Sequence, residues 1–265
     1  NKTLSFPLKA DKYTFFKLEI TELIDNKQKP QLAELSIDAS TELPYSDYTR
    51  TLDIDNAIHT VMYKENGITF KREYFMSYPD NVMVMRLTSD SKKGKLSRII
   101  SLESLHTDKT ITADSHTITM TGYPTPVSGD KRVGDAWKNG LKYAQQLVVK
   151  NKGGKISVVD GTKLKVEDAD EIIVLMSAAT NYVQCMDDSY NYFSQEDPLE
   201  KVQAMLHKVA DKKYTALLAT HQKDYHSLYD RMRLNLGNLP EAPVAPTDSL
   251  LKGMDENTNS EQENQ

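Results

Sequence analysis

Thr60-Val61-Met62-Tyr63-Lys64-Glu65-Asn66-Gly67-Ile68-Thr69-Phe70-Lys71-Arg72-Glu73-Tyr74-Phe75 is the stretch that decides the fold. Apolar and polar side chains alternate on either side of Asn66-Gly67, the period of half-buried strands. Asn-Gly supplies the two positive φ angles of a tight hairpin turn, so the stretch reads as two antiparallel strands. The same texture continues outward through Val82–Leu87, Leu96–Leu102 and Thr110–Met120. After a less regular region it resumes in Tyr143–Lys150, Ile156–Val159, Lys163–Val166 and Glu171–Ser177, punctuated by Gly153-Gly154 and Asp160-Gly161. A parallel sheet would need a crossover helix between strands, and none is patterned here. The chain is therefore expected to be mainly β, an antiparallel β-sandwich rather than an α/β sheet.

The texture changes at Asp197-Pro198, an N-cap followed by proline in the first helical turn. Leu199, Val202, Met205, Leu206 and Val209 then recur at helical spacing, and a second stripe runs Tyr214, Leu217, Leu218, His221, Tyr225, Leu228, Met232. Gly237 is the expected stop. Pro240, Pro243 and Pro246 form a semi-rigid spacer, and a polar tail follows. The expected organisation is a sandwich over 1–196, two linker helices over 197–237, and a Pro-containing linker with a disordered polar tail over 238–265.

With 265 residues and 30.0 kDa the chain is long enough to bury a core without disulfides or metal. Its net charge of −5 lacks the basic surplus of a nucleic-acid binder. No apolar run approaches the ~20 residues of a bilayer-spanning helix. Cys185 is the single cysteine, which excludes an intrachain disulfide and a cysteine zinc cage and leaves the compartment open. The stretch begins with Asn1 and reads as an excised or processed piece.

Candidates for chemistry are few. His221 and His226 are five apart, and His59, His106, His116 and His207 are scattered, so no metal site is expected. There is no Gly-x-Ser-x-Gly elbow and no glycine-rich phosphate cradle, and Cys185 reads as a packing thiol. No cofactor is implied. Asp53 and Asp55 would share a strand face, but a glycosidase pair is defined by its separation across a sugar, which spacing alone does not give. Tyr123, in Gly122-Tyr123-Pro124, and Trp137, in a Gly/Asp/Lys-rich loop, are the sugar-contact candidates, since sugars stack on exposed aromatic faces; loop anchoring is the alternative.

Several segments, taken in order, resemble one family. Tyr48-Thr49-Arg50-Thr51-Leu52-Asp53-Ile54-Asp55-Asn56-Ala57 resembles Y-x-R-x-L-D-L-x-x-A. It is followed by Val61 and Tyr63, by Arg72-Glu73-Tyr74-Phe75-Met76-Ser77-Tyr78-Pro79-Asp80 as R-E-x-F-x-S-x-P-D, and by Val82, Val84, Arg86 and Leu87. Gly153-Gly154, the Ala169-Asp170 pair, Ala179-Thr180-Asn181-Tyr182, Asp197-Pro198, His221 to Leu228, Arg231 and Pro246-Thr247-Asp248 complete the set. Together they are similar to the amino-terminal, supersandwich-like β-domain and linker of glycoside hydrolase family 95. That family comprises inverting α-L-fucosidases acting mainly on terminal α-1,2-linked fucose, with some members favouring α-L-galactosides. The family's Gly-Asn-Gly stretch and L-N-E-x-x-L-W motif have no counterpart, and residues 1–29 match poorly.

The resemblance implies that the catalytic residues belong to an (α/α)₆ barrel after the Pro-Thr-Asp linker, so no catalytic residue is assigned in this stretch. It further implies that barrel as partner, export to the periplasm or cell exterior of a bacterium, and fucosylated glycans as a possible ligand class. The leading expectation is a non-catalytic supporting module. A stand-alone sugar-binding or scaffold protein and a self-sufficient glycosidase are the alternatives. Without a barrel, part of the helical apolar stripe is expected to drive self-association.

Overall fold

The computed structural model describes residues 45–91, 96–124, 140–184, 193–234, 246–249 and 251. Contacts divide the chain into two units, residues 1–225 and residues 226–265. The first holds every described strand.

Among the described residues eleven strands form in order: β1 Tyr45–Asp53, β2 Ile58–Glu65, β3 Ile68–Ser77, β4 Val82–Ser89, β5 Leu96–Ile100, β6 Lys109–Asp114, β7 Thr117–Gly122, β8 Tyr143–Lys152, β9 Lys155–Val159, β10 Lys163–Ala169 and β11 Glu171–Thr180. An eight-stranded sheet runs β1-β2-β3-β4-β11-β8-β7-β6, and a three-stranded sheet runs β5-β10-β9. Every pairing is antiparallel. Among the described residues the helices α1 Pro198–Val209 and α2 Tyr214–Tyr229 follow the strands.

The large sheet is a middle layer with both faces covered over its centre. On one face Leu87, Leu147, Val149, Ile172 and Val174 pack against Leu96, Leu164, Val166 and Ala169 of the small sheet. On the other, Phe75, Val84, Ala144 and Leu175 receive Val202, Leu206 and Val209 of α1 and Tyr214 and Leu217 of α2. Alternation along each strand delivers this: Val174 and Leu175 are neighbours in sequence and belong to opposite cores. Each fully buried aliphatic side chain contributes about 1.5–3 kcal/mol, so docking of the helices rests mainly on that second core.

The hairpin reading holds in detail. Asn66 and Gly67 take φ +51° and +77° between β2 and β3. Asp197 caps α1, its carboxylate accepting from Leu199 N at 2.9 Å, with Pro198 in the first turn. Gly154 stands at φ +65°, where an added Cβ would run into the Glu167 carbonyl and the Ala169 amide.

Three details differ from the sequence reading. Thr110–Met120 is two strands, because Ser115-His116 makes a two-residue hairpin that Asp114 and Thr117 close as a pair. No glycine marks that turn, and the alternation runs through it unbroken. β1 is a strand although every residue but its last is exposed, so it has no apolar period to read. α2 ends at Tyr229, well short of Gly237, and Gly237 itself lies outside the described residues.

Candidate functional site

Two places concentrate polar and aromatic groups on the large sheet, one on each face. On the helix side, Glu73 and Glu171 share Arg86. Its Nε donates to Glu171 Oε2 at 2.7 Å, and its Nη1 approaches Glu73 Oε2 at 3.3 Å. The same guanidinium lies 4.6 Å from the centre of the Tyr214 ring, and Lys71 donates to Glu73 at 2.8 Å. Burial, reinforced by the Glu73 charge and opposed by Arg86, pushes the Tyr214 hydroxyl up to about 12. These carboxylates are committed to structure: both are ion-paired under a docked helix.

Neighbouring contacts on that face also hold the helices. Ser77 Oγ donates to Asp80 at 2.8 Å, and Lys212, between α1 and α2, donates to the other Asp80 oxygen at 2.6 Å. The His221 ring stacks on Phe75 with centroids 4.9 Å apart, and its Nε2 lies 2.9 Å from the Ala57 carbonyl. The Tyr225 hydroxyl donates to the Ile54 carbonyl at 2.6 Å. Asp53 shapes the receiving turn by accepting from Asn56 N at 3.0 Å and Asn56 Nδ2 at 2.8 Å. Those bonds hold its carboxyl below the usual range. β1 ends at Asp53, so Asp55 lies in the turn and the two do not share a strand face.

The opposite face of β1–β3 carries a cleft of about 510 Å³. β2 gives it His59, Val61 and Tyr63, and β3 gives Arg72 and Tyr74, at alternate positions. β1 gives Tyr45, Tyr48 and Arg50. Simple alternation would put Tyr45 and Tyr48 on opposite faces. A bulge between Ser46 and Thr49, with Asp47 at φ +51°, turns both to the cleft. The walls are fixed: Tyr63 stacks on Phe70 at 5.4 Å, and Arg72 lies 5.1 Å over the Tyr63 ring. Arg72 Nη2 and Arg98 Nη2 both donate to the Tyr63 hydroxyl at 3.1 Å. Among the described residues Arg72 Nε is buried without a hydrogen-bond partner.

Tyr123 is half-buried after β7, its amide donating to the Asp108 carbonyl at 3.0 Å, and it does not line the cleft. Trp137 and Cys185 lie outside the described residues. Sequence reasoning missed the cleft. Its one legible signal was the set of tyrosines and arginines at Tyr48, Arg50, Tyr63 and Arg72. Among the described residues no group of three or more His, Cys, Asp or Glu is arranged to hold a metal ion.

The resembling segments divide between these faces. Tyr48, Arg50, Val61, Tyr63 and Arg72 line the cleft, whereas Glu73, Phe75, Ser77 and Asp80 serve the helices.

The family model for "Glycosyl hydrolase family 65, N-terminal domain" matches residues 11–185. "Probable alpha-fucosidase A" of Aspergillus niger is 28% identical over 226 residues, covering 83% of this chain and 27% of that protein. "Alpha-L-fucosidase 2" of Arabidopsis thaliana is 32% identical over 205 residues, covering 72% and 24%. "Probable alpha-fucosidase A" of Aspergillus oryzae is 24% identical over 246 residues, covering 85% and 30%. The chain thus spans between 24% and 30% of the length of these curated relatives. A solved structure, "Putative kojibiose phosphorylase from human microbiome", aligns at 11% identity and TM-score 0.46 over 71% of this chain and 25% of that one, too weakly to add to the fold.

Proposed function

The chain belongs to the family of glycosyl hydrolase family 65 N-terminal domains, and from that premise we propose that it is the non-catalytic amino-terminal module of a family 95-like α-L-fucosidase, supporting an (α/α)₆ barrel that does the chemistry. The observation that carries this reading is the use made of its carboxylates. Glu73 and Glu171 are tied to Arg86 beneath α2, and Asp80 is tied to Lys212 between the helices. Asp53 is tied to its own turn. Inverting glycoside hydrolysis needs an acid and a base about 6.5–9.5 Å apart across an open sugar site. The β1–β3 cleft offers Tyr, Arg and His and no carboxylate among its described lining. Similarity to α-fucosidases over about a quarter of their length supports the same reading.

The test is hydrolysis of an aryl α-L-fucoside and of 2′-fucosyllactose. This stretch alone, at high concentration, is expected to show no turnover, and a longer protein that includes the following domain is expected to turn over both. Turnover by the stretch alone, surviving repurification and lost with Glu73→Gln or Glu171→Gln, would overturn the reading. Export from the cell and self-association through apolar residues of the helical region belong to the same proposal. Cell fractionation tests the first, and light scattering the second.

A further inference from the structure

We propose that the β1–β3 cleft is a binding site for an acidic saccharide, a sugar ring carrying a carboxylate. The inference is separate from the fucosidase reading and needs no catalytic domain.

Three observations converge. The volume of about 510 Å³ suits a mono- or disaccharide rather than a water cluster. The walls are aromatic and preset: Tyr45 and Tyr48 stand 5.9 Å apart, Tyr45 meets Tyr63 edge-on at 6.3 Å, and His59 lies 5.4 Å from Tyr74. Such faces accept the C–H surface of a sugar ring, and their tyrosine hydroxyls can exchange hydrogen bonds with its hydroxyls.

Charge then selects among sugars. The whole chain is net negative at −5, yet the cleft lining contains Arg50, Arg72 and His59 and no Asp or Glu among the described residues. Arg50 has no ion pair among the described residues. Arg72 meets only neutral tyrosines, Tyr63 and Tyr74, and among the described residues its Nε is buried without a hydrogen-bond partner. An arginine normally meets a carboxylate in a two-pronged bond, so the cleft holds guanidinium donors in want of an anionic acceptor. A neutral sugar would leave that demand unmet, because its hydroxyls bond guanidinium more weakly than a carboxylate does. The bulge at Asp47-Tyr48 is the local irregularity that brings Tyr45, Tyr48 and Arg50 to one side, which an unbulged β1 would not do.

The probes are methyl β-D-glucuronide and methyl β-D-glucoside, which share a ring and differ in a carboxylate against a hydroxymethyl group, with sodium acetate as the charge-only control. Binding to this chain is read from tyrosine ring signals in NMR titration. The glucuronide is expected to bind with a Kd of about 1 mM or tighter, about 10-fold more tightly than the glucoside, and acetate to leave the ring signals in place. Arg50→Met, at an exposed position where misfolding is not at issue, is expected to remove most of that preference. Tyr48→Ala is expected to weaken both sugars. Equal binding of the two glycosides would overturn the assignment of charge. An acetate response equal to the glucuronide's would overturn the saccharide. No response to any probe from a chain with native tyrosine dispersion would overturn the site.

Discussion

Tyr214 shows how much a single residue can report about this fold. Its ring is buried in the second core, 7% exposed, and its hydroxyl meets the Arg86 guanidinium rather than a carbonyl or carboxylate. Because burial raises its pKa from 10.0 to about 12, the neutral form is the one the folded state favours. The stabilising contribution is therefore complete below pH 10 and is lost as pH rises through about 12. Tyr214→Phe deletes the titration together with the buried hydroxyl. It is expected to change stability near pH 7 by no more than about 1 kcal/mol and to flatten the alkaline fall in urea midpoint relative to the native chain. Parallel alkaline profiles for the two proteins would show that Tyr214 does not titrate differently on unfolding. Asp80 is the opposite case, a buried polar group fully used. Its side chain is 5% exposed and binds Ser77 and Lys212. Asp80→Ala strands the Ser77 hydroxyl and frees Lys212, and is expected to cost about 1–3 kcal/mol in urea unfolding.

Among the elements, α1 and α2 matter most, because the large sheet alone would leave Phe75, Val84 and Leu175 uncovered. Leu217 is fully buried against that face. Leu217→Ala is expected to cost about 2–5 kcal/mol with the m-value unchanged, whereas Leu218→Ala, at a half-buried position beside it, should cost clearly less. Equal losses would mean that α2 docks by a different face. The sequence made some of this legible and hid the rest for identifiable reasons. Asn66-Gly67 announced one hairpin because I′ turns demand those residues. Asp197-Pro198 announced α1 because few other pairs start a helix so well. The Ser115-His116 hairpin went unread because its residues carry no such mark. β1 went unread because an exposed edge strand needs no alternation. The cleft was hidden twice over: the bulge shifts the phase of β1, and His59-Val61-Tyr63 looks like any core-facing strand. What covers a sheet face is set by neighbouring strands far away in sequence, and periodicity within one strand carries no trace of it.

For the whole molecule the question is what the helical region does beyond its own docking. The predicted apolar stripe does not have a single fate. In the first unit Val202, Leu206, Val209, Tyr214 and Leu217 are buried on the sheet. In the second unit Leu228, Met232 and Leu234 are 63%, 83% and 80% exposed. Large aliphatic side chains this exposed, within a few residues of one another, favour contact with another surface. In the proposed parent enzyme that surface would be the barrel; for this stretch by itself it would be a second copy. The chain is therefore expected to show a concentration-dependent rise in mass by light scattering across the micromolar range. Leu228→Ser combined with Met232→Ser is expected to abolish that rise while leaving the unfolding midpoint within about 0.5 kcal/mol, because neither residue contributes to a core. A native chain that stays monomeric at every concentration would remove the exposed residues as an association surface. A double variant that still associates would move the surface elsewhere, with β1, exposed and an edge strand among the described residues, as the next place to examine.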